Sequence, residues 1–313
     1  RLRVADLDAW VSILEEAKLA GPDANVHLIL VAAPPCLPYT QHGAQRGAAD
    51  ERDGLQFVVE LAARVRPLAV LIENVPAMMH EKFSASVQAQ LSKLGDDYTT
   101  KAKIHRCSNH GVAQKRRRLL ISALRVGADS FATGTTLDVK HGFGDREVLP
   151  GDVIQESGFW TGVCPIDLRL SLSNARARLR INTPSNTQSL VGTNVLAPTV
   201  CTSAFKCATY NRLVAVPIDI DPRTATYGDL RMMQREHGLR LQSFPPGFTL
   251  YGNQNLMAEQ IGNAVPPLLA YDVGNALHEA LCGARDRLSN VFGAATTAHL
   301  TEVKALVYGR VPV

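Results

Sequence analysis

Two side chains capable of chemistry stand at the ends of consecutive apolar runs. Cys36 follows Leu28-Ile29-Leu30-Val31 on a turn stiffened by Pro34-Pro35. Glu73 follows the run Leu68 to Ile72 and leads into Asn74-Val75. A thiolate is a strong carbon nucleophile, and cysteine is the least handicapped nucleophile at its free pKa. Flanking prolines remove backbone donors and fix the turn, so the thiol is aimed. A carboxylate at the end of the neighbouring strand can act as an acid when burial raises its pKa. Taken singly, each has a plainer reading, a cysteine closing a buried strand and a capping or salt-bridged glutamate. Their pairing points to chemistry, because ligands of open α/β sheets bind at the carboxyl ends of strands.

A third group is Gln114-Lys115-Arg116-Arg117-Arg118. Strand alternation places Gln114, Arg116 and Arg118 on one face and Lys115 and Arg117 on the other. One face then suits a polar ligand, and the other suits phosphates. The run lies in a stretch from Tyr98 to Ala128 with eight Lys/Arg residues and no Asp or Glu. A second basic stretch carries Arg169, Arg176, Arg178 and Arg180. Both have the electrostatics of phosphate contacts.

The elements that must position these groups alternate. Helices are expected over Asp8 to Ala20, Gly54 to Arg66 and Ser84 to Leu94, from apolar residues at helical spacing. Strands are expected over Leu28 to Val31, Leu68 to Ile72 and Leu119 to Leu124. This order predicts an α/β fold with a parallel sheet and crossover helices. Thr40 to Arg52 is polar and glycine-containing, a long loop of the kind that serves as a lid. Helical patterning fades between about 126 and 226, where an irregular or β-rich insertion is expected. It returns from Leu230, with a tight turn at Gly262 to Pro267.

The bulk composition narrows the class. The 313 residues carry a net charge of only +4, so the basic character is local rather than global. No apolar run approaches the roughly 18 residues needed to span a bilayer, and no secretory signal is expected. The six cysteines lack metal-ligand spacing, so no metal site is expected and the setting is a reducing one. A thiol-redox or cysteine-hydrolase role lacks a resolving cysteine or a well-placed histidine.

The order of these pieces resembles that of the DNA (cytosine-5) methyltransferase family. Pro34-Pro35-Cys36-Leu37-Pro38-Tyr39-Thr40 is similar to its nucleophile loop, and Gly47 to Arg52 to the continuation of that loop. Glu73-Asn74-Val75 matches its glutamate motif, and Gly111 to Arg118 its Gln-x-Arg-x-Arg strand. Arg235-Glu236 with Arg240-Leu241-Gln242-Ser243-Phe244-Pro245 resembles the motif that orders the recognition domain. Gln260-Ile261-Gly262-Asn263-Ala264-Val265-Pro266-Pro267 matches the returning helix. Leu37 and Tyr39 stand where the family usually has Gln and Phe. The family's glycine-rich cofactor loop has no counterpart, and the chain opens on Arg1. The expectation is therefore an amino-terminal truncation, or a complementary chain that supplies the first βα unit.

The resemblance implies a Rossmann-like S-adenosylmethionine-dependent methyltransferase sheet. The expected division is a catalytic domain over 1–125, a target-recognition region over 126–225, a return to the catalytic domain over 226–282, and a tail helix over 283–313. It implies methylation of carbon 5 of cytosine in duplex DNA, in restriction-modification or phage and host DNA modification. Cys36 is the implied nucleophile, and Glu73, Arg116 and Arg118 the groups on the base. Asp6, Leu7, Pro34, Leu55 and Asn263 would hold S-adenosylmethionine. Gln114, Thr40, Arg52, Arg235, Arg176 and Arg178 would meet substrate DNA, with the target cytosine flipped out of the stack. The expected partner is double-stranded DNA, with no membrane, for a monomer unless a complementary chain is needed. The expected location is the cytoplasm, or the nucleus of a eukaryote. A tRNA cytosine-5 methyltransferase and a non-catalytic nucleic-acid-binding subunit are the alternatives.

Overall fold

The computed structural model describes residues 6–19, 28–40, 45–127, 131, 134–141, 147–154, 190–191, 196–202, 214–215, 231–233 and 235–283. They fall into two units. The first draws on Arg1–His105, Arg117–Val139 and Val273–Val291, and the second on Arg106–Arg116, Lys140–Asp272 and Phe292–Val313. The expected domain limits are different. Residues 226–272 group with the second unit, and the larger part of the last helix, from Val273 on, groups with the first.

The first unit is built on strands β1 (Ile29–Ala32), β2 (Ala69–Asn74), β3 (Tyr98–Arg106) and β4 (Arg117–Arg125), in the order β1-β2-β4-β3. β1 and β2 are parallel, in the register Ala32 to Ile72. The chain crosses between them through helix α2 (Leu55–Val65). α2 turns Leu55, Val58, Val59 and Ala62 onto Val70 and Ile72 of β2 and Leu119, Ile121 and Ala123 of β4. Helical spacing on one side and strand alternation on the other bring these faces together. Each fully buried aliphatic side chain contributes about 1.5–3 kcal/mol. Arg66 ends α2 in the left-handed region (φ 53°), just before Pro67. Helix α1 (Leu7–Leu19) precedes β1, and α3 (Glu81–Leu91) adds Phe83, Val87 and Leu91 to the same core.

Three sequence expectations are revised here. The sheet is mixed rather than parallel, because β4 runs antiparallel to β2 in the register Glu73 to Leu120. β3 was not expected, since Thr-Thr-Lys-Ala-Lys lacks an apolar face. Its place at the end of the strand order removes the need for one, and lysines suit such an edge. β1 is not the buried strand expected. Leu30 and Ala32 pack on the core, whereas Ile29 is 36% and Val31 71% exposed. Among the described residues β1 has one strand neighbour, β2.

The second unit has its own core, in which Ala113, Ala197, Val200, Leu241 and Ile261 are fully or almost fully buried. Its helices include Arg235–Leu241 and Gln254–Asn263, and Asn253 caps the latter by accepting from Leu256 N–H at 2.9 Å. Short strands Leu190–Val191, Val214–Ala215 and Arg231–Met232 form a small separate sheet, and most of the insertion expected between 126 and 226 lies outside the described residues. The expected tail helix over 283–313 lies outside the described residues, apart from Gly283.

Candidate active site

The nucleophile loop starts where β1 ends. The Cys36 carbonyl accepts from Tyr39 N–H at 3.0 Å and from Thr40 N–H at 3.1 Å, so the chain folds back immediately after the cysteine. Pro38 carbonyl accepts from Gly47 N–H at 3.0 Å, which closes the loop at its far side. Gly47 has φ 56°, and a Cβ there would lie 2.7 Å from the Phe83 ring, so glycine is required. Tyr39 is buried edge-on against Phe83, with ring centroids 5.3 Å apart. Burial first, and the nearby Asp53 charge second, push its phenol well above the ordinary range, so it remains protonated. Cys36 itself is half-buried.

β2 delivers the carboxylate. Asn74, 2% exposed, donates from Nδ2 to the Pro34 carbonyl at 3.2 Å, and its Oδ1 accepts from Val75 N–H at 2.8 Å. One amide therefore ties the backbone two residues before Cys36 to the residue after Glu73. Glu73 Oε1 lies 2.7 Å from Arg118 Nε. The antiparallel register explains the pairing: Glu73 faces Leu120, and Arg118 is the next residue of β4 on that side. Both side chains are largely but not wholly shielded, at 17% and 14% exposure. Cys36, Glu73 and Arg118 thus belong to one unit and one end of the sheet.

In the second unit, Gln114 and Arg116 lie inward while Lys115 is exposed, which is the alternation expected from the sequence. Their partners differ from the expected ones. Gln114 is 0% exposed and donates to Leu241 carbonyl at 2.8 Å and Gln242 Oε1 at 2.9 Å. Arg116 is 1% exposed and donates to the carbonyls of Val200, Gly262 and Ala264 at 3.0, 3.0 and 2.8 Å. Neither offers a surface to a base or to DNA.

The profile of the C-5 cytosine-specific DNA methylase family matches residues 12–143 and 174–279. The chain belongs to that family. Similar proteins include Type II methyltransferases. The Type II methyltransferase M.AplI of Arthrospira platensis is 27% identical over 266 residues, spanning 84% of this chain and 72% of the relative. M.NgoMIV of Neisseria gonorrhoeae is 27% identical over 257 residues, spanning 81% and 78%. The solved structure of the Entamoeba histolytica methyltransferase EhMeth shares the fold, with TM-score 0.58 and 16% identity over 86% of this chain and 80% of that one. The protein is a DNA cytosine-5 methyltransferase.

The remaining residues expected at the site are distributed over both units. Asp6 is exposed at the start of α1, Leu7 and Pro34 are half-buried, and Asn263 is exposed in the second unit. Leu55 is wholly enclosed in the first core, which gives it packing partners and no ligand-facing surface. Arg52 is engaged by Asp50, its Nε and Nη2 each 2.8 Å from a carboxylate oxygen, so it braces the loop rather than reaching out. The Thr40 hydroxyl is enclosed without a hydrogen-bond partner. Arg235 Nη1 lies 2.8 Å from Met257 Sδ. Arg176 and Arg178 lie outside the described residues, as do Arg169 and Arg180. Asn74 locks its turn by a local hydrogen bond, as its place after Glu73 suggests, whereas the contacts of Gln242 and Gly262 are not indicated by spacing. Among the described residues no cluster of His, Cys, Asp or Glu could hold a metal ion, and no helix is long and apolar enough to cross a membrane.

The fit to S-adenosylmethionine is partial. Asp6 offers a carboxylate and Pro34 an apolar surface at the end of β1. The glycine that approaches Pro34 is no cradle, since a Cβ on Gly54 would sit 2.9 Å from Pro34 Cβ.

Proposed function

We propose that this methyltransferase modifies cytosine in duplex DNA by covalent catalysis through Cys36, with S-adenosylmethionine as donor, in the manner of a restriction-modification methylase. The observation that carries this reading is the joining of the Cys36 loop to the Glu73 strand through Asn74, with Glu73 paired to Arg118.

Carbon 5 of cytosine is a poor nucleophile. Addition of the Cys36 thiolate to carbon 6 moves electron density to carbon 5 and onto the ring. The Glu73 carboxyl accepts from the exocyclic amine, and in its protonated form donates to ring nitrogen 3 as that density develops. Arg118 holds Glu73 in place and presents its guanidinium toward the ring oxygen. Bound S-adenosylmethionine supplies an electrophilic methyl group, and Asp6 and Pro34 are the residues that would hold it. Solvent water takes the carbon-5 proton, its electron pair re-forms the double bond, and the carbon-6–sulfur bond breaks to release Cys36 as the thiolate. A stacked base cannot reach such a site, so the target is flipped, at a cost of a few kcal/mol. Residues 126–225, with Arg176 and Arg178, supply contacts to the DNA. Restriction-modification use is supported by the Type II names of M.AplI and M.NgoMIV.

The test is transfer of tritiated methyl from S-adenosylmethionine to unmethylated duplex DNA, with tRNA in parallel. Transfer to DNA is expected. Transfer to tRNA alone identifies the tRNA enzyme, and transfer to neither identifies a non-catalytic nucleic-acid-binding subunit.

A further inference from the structure

The Gln114 to Arg118 run performs two separable tasks. Arg118 pairs with Glu73, whereas Gln114 and Arg116 are sealed from solvent and bind backbone. Both side chains reach one segment, 196–202, at Val200. Gln114 Oε1 accepts from Val200 N–H at 3.0 Å, and Arg116 donates to Val200 carbonyl at 3.0 Å. Lys115 N–H donates to Ala197 carbonyl at 2.7 Å, and Ala197 N–H to Ala113 carbonyl at 3.2 Å.

The other side of this segment is held by the turn after helix Gln254–Asn263. The same Arg116 guanidinium reaches Gly262 and Ala264 carbonyls. Gln242 Nε2 donates to Ile261 carbonyl at 2.6 Å and links that helix to Gln114. The approach is close enough to exclude any side chain. A Cβ on Gly262 would lie 2.2 Å from Thr202 nitrogen and 2.4 Å from the Cys201 carbonyl carbon. Segment 196–202 is thus pinned at Ala197, at Val200 and at 201–202, and it runs directly into residues 203–225.

We propose that Arg116 is a positioning residue for DNA recognition: with Gln114, Gln242 and Gly262 it fixes the segment from which the second half of the recognition region departs. The proposal rests on the reading of 126–225 as that region. A planar guanidinium suits the task because its fork meets three carbonyls in fixed directions, which a lysine ammonium cannot reproduce. Contact with the cytosine ring, the role implied by family resemblance, is not open to a side chain at 1% exposure.

The experiment compares the unsubstituted enzyme with Arg116→Met, Arg116→Lys, Gly262→Ala and, as contrast, Arg118→Lys. Methyl transfer is measured against duplex concentration at saturating S-adenosylmethionine, and duplex affinity by fluorescence anisotropy. The three clamp variants are expected to raise KM and Kd for DNA about tenfold with kcat within about threefold, while Arg118→Lys loses kcat. Bisulfite sequencing of the products is expected to show methylation at sites the unsubstituted enzyme leaves unmodified. If Arg116→Met does not fold, Arg116→Lys, which keeps the charge, carries the same test. Unchanged KM and Kd in the clamp variants, or a loss confined to kcat, overturn the proposal. Absence of transfer by the unsubstituted enzyme refutes the catalytic reading instead, and the affinity comparison still decides the role of Arg116.

Discussion

Glu73 and Arg118 meet at 2.7 Å across the antiparallel pair β2 and β4, on neighbouring positions of one face of the sheet. The register alone fixes their separation, so neither side chain depends on a flexible loop for its place. Breaking the pair leaves a partly shielded carboxylate without its guanidinium. Arg118→Ala is expected to lower kcat/KM about 100- to 1000-fold, the range for loss of a preorganised electrostatic partner. Steady-state methyl transfer checks this, and a rate within a few-fold of the unsubstituted enzyme contradicts it.

Asn74 joins the nucleophile loop to the glutamate strand with a single amide. Asn74→Ala removes the donor to Pro34 carbonyl and frees the turn that carries Cys36. A loss of positioning of this kind is expected to reduce kcat about 10- to 100-fold, with KM for DNA little changed. Pre-steady-state transfer at saturating duplex measures it, and a rise in KM at constant kcat would point to a different role.

The Asp50–Arg52 pair gives the same loop a pH dependence. Hydrogen bonds from the Arg52 side chain and backbone lower the Asp50 carboxyl from its ordinary 3.8 to about 2. A folded-state pKa below the unfolded value contributes stability that is present above the ordinary carboxylate range and lost as pH falls through about 2. Urea unfolding of the enzyme and of Asp50→Asn across the acid range should show a gap at neutral pH that narrows toward pH 2. A gap that stays constant with pH would exclude the linkage.

Much of the fold is legible in local pattern. The inward face of α2 and the cores of β2 and β4 follow from apolar spacing, because burial on one side selects that spacing, whereas α1 departs from it, with Ile13 46% exposed. β3 is hidden, since an edge strand needs no continuous apolar run, and Thr100, Lys101 and Lys103 accordingly face outward. The site divides in the same way. Cys36 and Glu73 stand out by residue type and by their places at strand ends. Gln114 and Arg116 have the expected alternation but partners that alternation does not indicate, because these are backbone carbonyls and amides and the Gln242 side chain, 84 to 148 residues away. The sequence marks Gly262 only as part of a turn, since the backbone of Thr202 is what shows why no side chain fits there.

Leu55 separates packing from cofactor binding. It is fully enclosed among Val59, Val70 and Ile72 in the first core. Leu55→Ala is expected to destabilise the first unit by about 2–5 kcal/mol through a cavity, measured by chemical denaturation. A donor-binding defect without a loss of stability would place Leu55 at a ligand surface instead.

The central claim is that Cys36 attacks the base. The most direct measurement is covalent trapping on a long duplex copied with 5-fluorocytosine, in the presence of S-adenosylmethionine, followed by mass spectrometry of the peptide that contains Cys36. Fluorine at carbon 5 blocks the final elimination, so the account predicts a stable adduct at Cys36 that Cys36→Ser abolishes. No adduct under conditions in which the enzyme methylates ordinary duplex DNA, or an adduct that persists in Cys36→Ser, would contradict it.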